Sequence, residues 1–240
     1  MTEEIIKPFL LEKLLFGEKV DLKQPSPNLI HIYGEAGSGK TTLAIQLACN
    51  ICSHKMKVVL IDTEGKISGS KIKGIVQQSE FPTINKNLKL YNPNNFQKQY
   101  ELIRNLEYYL QNQQIGLLIV DTITNLYRQE KNSEQDEKIN YRKLAYQVAL
   151  LRKISYDKKI PIILFNQATM IKKEDSDFFS NLRREKVNPV AKAIMDYWVD
   201  REIILISHGF GKFEARKPGE YEGRVKFGIN SEGIIPLSEE

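Results

Sequence analysis

Short, unbroken apolar runs recur along this chain at wide intervals. Leu29–Tyr33, Lys57–Asp62, Ile115–Val120 and Ile160–Phe165 each have strand length and lack the alternation of a half-exposed strand. They therefore predict strands buried on both faces. Between them, apolar residues return at helical spacing. Thr42–Ala48 opens a helix that the pattern carries to about His54. Phe96, Tyr100, Ile103, Leu106, Tyr109 and Leu110 predict a helix from about 94 to 113, and Leu144, Val148, Leu151 and Ile154 share one face of another long helix. Shorter helices are expected over Lys71–Ser79 and near 189–197, a further strand at Leu88–Tyr91, and loops over the polar stretches 122–135 and 170–188. Three closing strands, near 201–207, 211–217 and 223–229, have no helices between them.

Strands alternating with helices specify an α/β fold with a mostly parallel central sheet flanked by helices, and the closing strands are expected as antiparallel additions at one edge. No internal repeat or second domain is evident. Residues 29–240 read as one domain. Residues 1–28 read as a segment packing on it, with an amphipathic piece at Phe9–Phe16 ended by Gly17.

Composition changes this picture little. The chain has 240 residues, 41% of them hydrophobic, enough for a substantial core. No apolar run approaches the roughly 18 residues of a membrane span, and acidic residues stand where a signal peptide would be basic, so a cytoplasmic location without membrane association is expected. A net charge of +5 is compatible with a polyanionic partner without requiring one. Cys49 and Cys52 lie three apart inside the helix after Gly39, where they share one side, and no second cysteine pair completes a metal site. Core packing is their expected role.

The chemistry begins at Gly34-Glu35-Ala36-Gly37-Ser38-Gly39-Lys40-Thr41-Thr42, which fits the phosphate-binding pattern G-x-x-x-x-G-K-[ST] between a strand and a helix. Backbone N–H groups and a helix N-terminus converge there on an anion. Lys40 adds a full charge for the outer phosphates, and the Thr41 hydroxyl can ligate Mg²⁺. The motif implies a nucleoside triphosphate such as ATP and leaves open what its energy drives.

Three other strand ends add candidates. Asp121 closes Leu117–Asp121 and suits the same magnesium ion. Glu64, in Ile61–Gly65, can orient or deprotonate an attacking water. Gln167, following Asn166, carries both a donor and an acceptor and can sense the terminal phosphate, although a capping role fits its spacing equally.

Gly34–Thr42, Ile61–Gly65, Leu117–Glu130 and Phe165–Ala168 together resemble the RecA/RadA recombinase ATPase core. Ile119–Arg128 is similar to the archaeal RadA and eukaryotic recombinase pattern, and Arg216–Pro218 with Ile229–Ile234 resembles that family's C-terminal strands. The resemblance spans roughly residues 8–235. It implies a RecA-like P-loop ATPase core that binds ATP and Mg²⁺ through the glycine loop, Thr41 and Asp121, with Glu64 as catalytic carboxylate, Lys40 as its cationic partner, and Gln167 coupling nucleotide state to a DNA-binding loop. It also implies two loops facing single-stranded DNA, near 128–138 and 170–188. Arg128, Lys172, Lys173, Arg183, Arg184 and Lys186 are their candidate phosphate contacts, and Phe178 and Phe179 their candidate base-stacking groups. Glu174, Asp175, Asp177 and Glu185 dilute the positive charge of the second loop.

The chain departs from a full recombinase in several places. About 30 residues precede the glycine loop, with no sign of an N-terminal helical DNA-binding domain or of the phenylalanine–alanine polymerisation segment. Ile67–Lys71 replaces an arginine- and proline-bearing stretch, and Asn188-Pro189 stands where a glycine pair is expected. A RadB-like paralog fits better than RadA, with single-stranded DNA and a RadA-type recombinase as partners and without filament formation. Two alternatives stand beside it: a non-catalytic module switched by nucleotide, and a signalling ATPase of the KaiC type.

Overall fold

The apolar run Asn28–Gly34 forms β1, in the interior of the sheet, and the turn after it leads into α1, Lys40–Ser53. The computed structural model describes residues 28–130, 133–170, 187–220 and 224–237. The amphipathic piece at 9–16 and positions 171–186 of the second expected loop lie outside the described residues. The remaining strands are β2 Lys57–Asp62, β3 Leu88–Tyr91, β4 Ile115–Asp121, β5 Pro161–Met170, β6 Val187–Pro189, β7 Arg201–Gly209, β8 Lys212–Arg216, β9 Val225–Asn230 and β10 Gly233–Pro236. The remaining helices are α2 Gly69–Ile75, α3 Phe81–Asn87, α4 Phe96–Arg104, α5 Leu106–Tyr109, α6 Asn125–Gln129, α7 Glu134–Lys158 and α8 Lys192–Trp198.

The strand order is β10-β9-β8-β7-β1-β5-β4-β2-β3, with β6 pairing off β5. The six strands from β7 to β3 are mutually parallel. The rest of the C-terminal edge, β8 to β10, is antiparallel. The central runs are apolar throughout because both faces are covered. In β2, Val58 and Leu60 enter the layer containing α1, α2 and α3. Val59 and Ile61 enter the layer containing α4, α5, α7 and α8. Both cysteines are buried in the first layer, where burial pushes each thiol up to about 12. Neither is a ready nucleophile or metal ligand in that state.

Register decides what the sheet presents at its C-terminal end. Gly34 pairs with Gln167 across β1 and β5, and Asp62 pairs with Asp121 across β2 and β4. Since β5 and β4 are neighbours, four strand ends that are far apart in sequence form one row.

Several elements differ from the pattern-based expectation. The helix expected over 94–113 is interrupted at Asn105, where Glu101 O accepts from both the Asn105 side-chain amide at 2.9 Å and its backbone N–H at 3.1 Å. Lys71–Ser79 divides, with α2 ending at Ile75, extended backbone at Val76, and a new helix α3 beyond. A short helix, α6, occupies part of the expected loop 122–135. The long helix begins at Ser133, where Ser133 and Asp136 form a reciprocal capping box. The first closing strand, β7, is parallel to β1 rather than antiparallel, and β10 adds a strand that the periodicity does not reveal.

Phe165 on β5 is wholly buried in the first layer. Phe165→Ala is expected to lower stability in urea by about 3–5 kcal/mol. A loss below about 1 kcal/mol would contradict its place in the core.

Candidate functional site

The glycine loop is shaped by positions that exclude side chains. A Cβ on Gly34 would collide with the Leu205 carbonyl, and one on Gly39 would collide with the Ile229 side chain. Gly37 and Gly39 also have φ of 77° and 86°, where an L side chain is strained. Ser38 N–H donates to Glu35 O at 3.2 Å and closes the turn. Ala36 and Gly37 form the exposed lip, while Thr41 and Thr42 are half-buried in the first turn of α1.

Lys40 points back into this loop. Its ammonium donates to Gly34 O at 2.9 Å, Glu35 O at 2.6 Å and Ser38 Oγ at 3.2 Å. Only 8% of the residue is exposed. Burial lowers its pKa to about 8, against the opposing pull of the Asp121 and Glu64 carboxylates.

Asp121 closes β4 at 1% exposure. Burial raises its carboxyl to about 6; a hydrogen bond with the Thr41 side chain works against that, while Glu64 and Asp62 add to it. One carboxylate oxygen, Oδ1, has no hydrogen-bond partner. A buried acceptor left free beside a threonine hydroxyl suits a hard cation. Magnesium characteristically takes one or two protein ligands and completes its shell with water and phosphate, so Thr41 and Asp121 are a sufficient protein contribution.

Glu64 sits on the turn after β2, 18% exposed, with its carboxylate paired to the Lys66 ammonium. Gln167 ends the parallel part of β5. Its Oε1 accepts from Arg128 Nη1 on α6 at 2.8 Å, so two residues that the motif reading kept apart are joined directly. Lys172, Lys173, Phe178, Phe179, Arg183, Arg184 and Lys186 lie outside the described residues. Next to Thr41 and Thr42 is a cleft of about 410 Å³, bounded also by Ile45, Ser70, Lys71 and Asn230.

The sequence has counterparts among known proteins. A family model described as Rad51 matches residues 20–235. The chain belongs to the Rad51 family. It is similar to proteins named DNA repair and recombination protein RadB from several archaea. The one from Methanocaldococcus jannaschii is 34% identical over 212 residues, 86% of this chain and 92% of its relative. The one from Methanosphaera stadtmanae is 30% identical over 237 residues, 94% and 92% of the two chains. The one from Methanococcus maripaludis strain C7 is 33% identical over 193 residues, 79% of each. The RecA-like core, RadB-like within its superfamily, is therefore the right frame for the fold.

Within this Rad51-family core, several residues matter that the motif reading passed over. Asp62 organises the turn bearing Glu64. Its Oδ1 accepts from the N–H groups of Glu64 at 3.0 Å and Gly65 at 2.9 Å, and its Oδ2 accepts from Ile67 N at 2.7 Å. An aspartate at a strand end followed by Thr-Glu-Gly is the signal that could have shown this turn. The Thr63 hydroxyl donates to Thr122 O at 2.8 Å and accepts from Thr122 N at 3.0 Å, and Asn125 Nδ2 donates to Thr63 O at 2.8 Å. These bonds tie the turn after β2 to the turn after β4.

A second buried chain of polar groups crosses the sheet. Thr124 Oγ1 donates to Asn166 Oδ1 at 2.5 Å, and Asn166 Nδ2 donates to Val190 O at 2.8 Å and to His31 Nε2 at 3.1 Å. His31 Nδ1 then faces Glu202 Oε1 at 2.8 Å. Burial holds His31 below the ordinary imidazole value. The neutral ring, protonated on Nδ1, satisfies every member of the chain. A lone histidine in an apolar strand gives no hint of a partner 171 residues away.

Asp121 generates a testable consequence. Its folded pKa of about 6 lies above the ordinary 3.8. The cost of ionising it in the folded state is thus absent below 3.8, grows through about 6 and is complete above that. Asp121→Asn is expected to stabilise the ligand-free protein at pH 7.5 by on the order of 2 kcal/mol. The gain should vanish under acidic conditions. Urea denaturation at pH 7.5 and pH 4 checks this, and a destabilised variant at pH 7.5 would contradict the account.

Proposed function

We propose that this chain is an ATP-binding recombinase paralog with slow ATPase activity, engaging single-stranded DNA and a RadA-type recombinase to assist or regulate homologous recombination and repair. The observation that carries the nucleotide reading is the meeting of Lys40, Thr41, Asp121 and Glu64 along one row of strand ends, with one oxygen of Asp121 buried and free. The relatives named for DNA repair and recombination support the biological setting.

In this reading the glycine loop and the α1 N-terminus receive the phosphates, with Gly34 and Gly39 letting the loop pack closely on Leu205 and Ile229 while its backbone N–H groups turn to the ligand. Lys40 redirects its ammonium from the Gly34 and Glu35 carbonyls toward the outer phosphates. Thr41 and Asp121 hold Mg²⁺, which when bound neutralises charge developing on the transferred phosphoryl group. Glu64 holds a water in line and accepts its proton. The cleft beside Thr42 accommodates base and sugar. Gln167 links the phosphate end to Arg128, and a shift of its amide toward the terminal phosphate releases the exposed Arg128 guanidinium for a nucleic-acid phosphate. Among the described residues no helix is long and apolar enough to cross a membrane.

Two substitutions separate binding from turnover. Lys40→Ala is expected to abolish ATP binding in a filter or fluorescence titration. Glu64→Gln is expected to retain binding while losing at least about 10²-fold in turnover. Wild-type hydrolysis by either variant would overturn the assignment.

A further inference from the structure

The turn after β2 carries two opposite charges, Glu64 and Lys66, whose side chains meet in an ion pair. Their meeting is imposed by the backbone. The three hydrogen bonds from Glu64, Gly65 and Ile67 N–H groups to Asp62 fold the segment into one tight turn, Gly65 takes φ 65°, and Ile67 is anchored in the core at 6% exposure. The residues on either side of Gly65 are therefore delivered to the same spot. The pair is also asymmetric: the Glu64 side chain is 18% exposed and the Lys66 side chain 62%. Lysine thus closes over the carboxylate from the solvent side. Its ammonium is also within electrostatic reach of Asp121, Asp62 and Lys40.

Nothing in the motif reading uses Lys66, yet it sits on the carboxylate assigned to the attacking water. An ion pair this exposed is worth roughly 0–1 kcal/mol, so opening it costs little. A triphosphate brings far more negative charge to the same crevice than one carboxylate does.

We propose that Lys66 is a nucleotide-responsive latch on Glu64, occupying that carboxylate until it exchanges it for the terminal phosphate of a bound nucleoside triphosphate. This rests on the ATP-site reading above. Lys66 then has two consequences. It favours triphosphate over diphosphate, and it keeps Glu64 engaged until a terminal phosphate is present. Without nucleotide it acts on Glu64; with a triphosphate bound it contacts the terminal phosphate.

The test is a binding cycle on the intact chain, using a non-hydrolysable ATP analogue and ADP with Mg²⁺. Lys66→Met is expected to reduce the preference for triphosphate over diphosphate about fivefold, the scale of a solvent-screened charge pair, while ADP affinity stays unchanged. Lys66→Arg should restore the preference. Glu64→Gln removes the competing carboxylate and should tighten analogue binding, and most of that gain should disappear in the double variant Lys66→Met/Glu64→Gln. An unchanged preference in Lys66→Met, or additive effects in the cycle, would overturn the latch. Wild-type protein that bound both nucleotides would leave the ATP-site reading standing in that case, whereas wild-type protein that bound neither would sink the site itself.

Discussion

Two charges held out of water at the end of one parallel sheet are the constraint on which the rest of this structure turns. Lys40 and Asp121 approach from either side of the β5 end in the row, and burial disfavours the charged form of each. Neither is neutralised by a close ion pair with the other. The ammonium is held by backbone carbonyls and the carboxylate by a threonine hydroxyl, with one oxygen left over. Charges placed so are costly unless a ligand completes them. In the proposed reading, a triphosphate with a divalent cation would supply the missing complement on both sides.

Holding such an arrangement open requires a frame that does not collapse onto it. The central parallel strands β1, β5, β4 and β2, buried on both faces, supply rigidity, and the two turns flanking the crevice are fixed by short polar bonds as well as by packing. Asp62 clamps the turn that bears Glu64, and Thr63 with Asn125 joins that turn to the one following Asp121. The Thr124–Asn166–His31–Glu202 chain adds a second tie, from the start of α6 across β5 and β1 to β7. Because Asn166 also holds Val190 O, the chain is secured there as it leaves β6 toward α8. On the same strand Gln167 holds Arg128 of α6 by its side-chain oxygen.

The parts of this design that were legible in the sequence are those with local signals. Buried strands showed as apolar runs, the glycine loop as its fixed spacing, Asp121 as an acid closing a strand and Glu64 as an acid just beyond one. What escaped depended on distance or on single side chains. The interruption at Asn105 lies inside a stretch whose periodicity continues past it, and a side-chain amide shared onto Glu101 O does not change the hydrophobic pattern. β7 resembled the later strands in having no helix after it, yet its partner is β1, and strand partnership is decided by the sheet rather than by the segment. His31 and Glu202 are unremarkable alone and meaningful only when adjacent strands align them. Lys66 carried no motif at all; its relevance comes from the turn geometry set by Asp62.

The central claim, that Asp121 as a buried carboxylate completes a cation–triphosphate site, is tested most directly by calorimetric titration of a non-hydrolysable ATP analogue with Mg²⁺ at several pH values. Below the folded pKa of about 6 the carboxyl is protonated and offers the cation no charge. Affinity is expected to peak between about pH 7 and 8, where Asp121 is ionised and Lys40 still protonated, and to fall as the pH drops through 6, with that acid-side fall reduced in Asp121→Asn. Magnesium-dependent affinity that stayed flat from pH 7.5 to 5, or that kept the same pH profile without Asp121, would contradict the account.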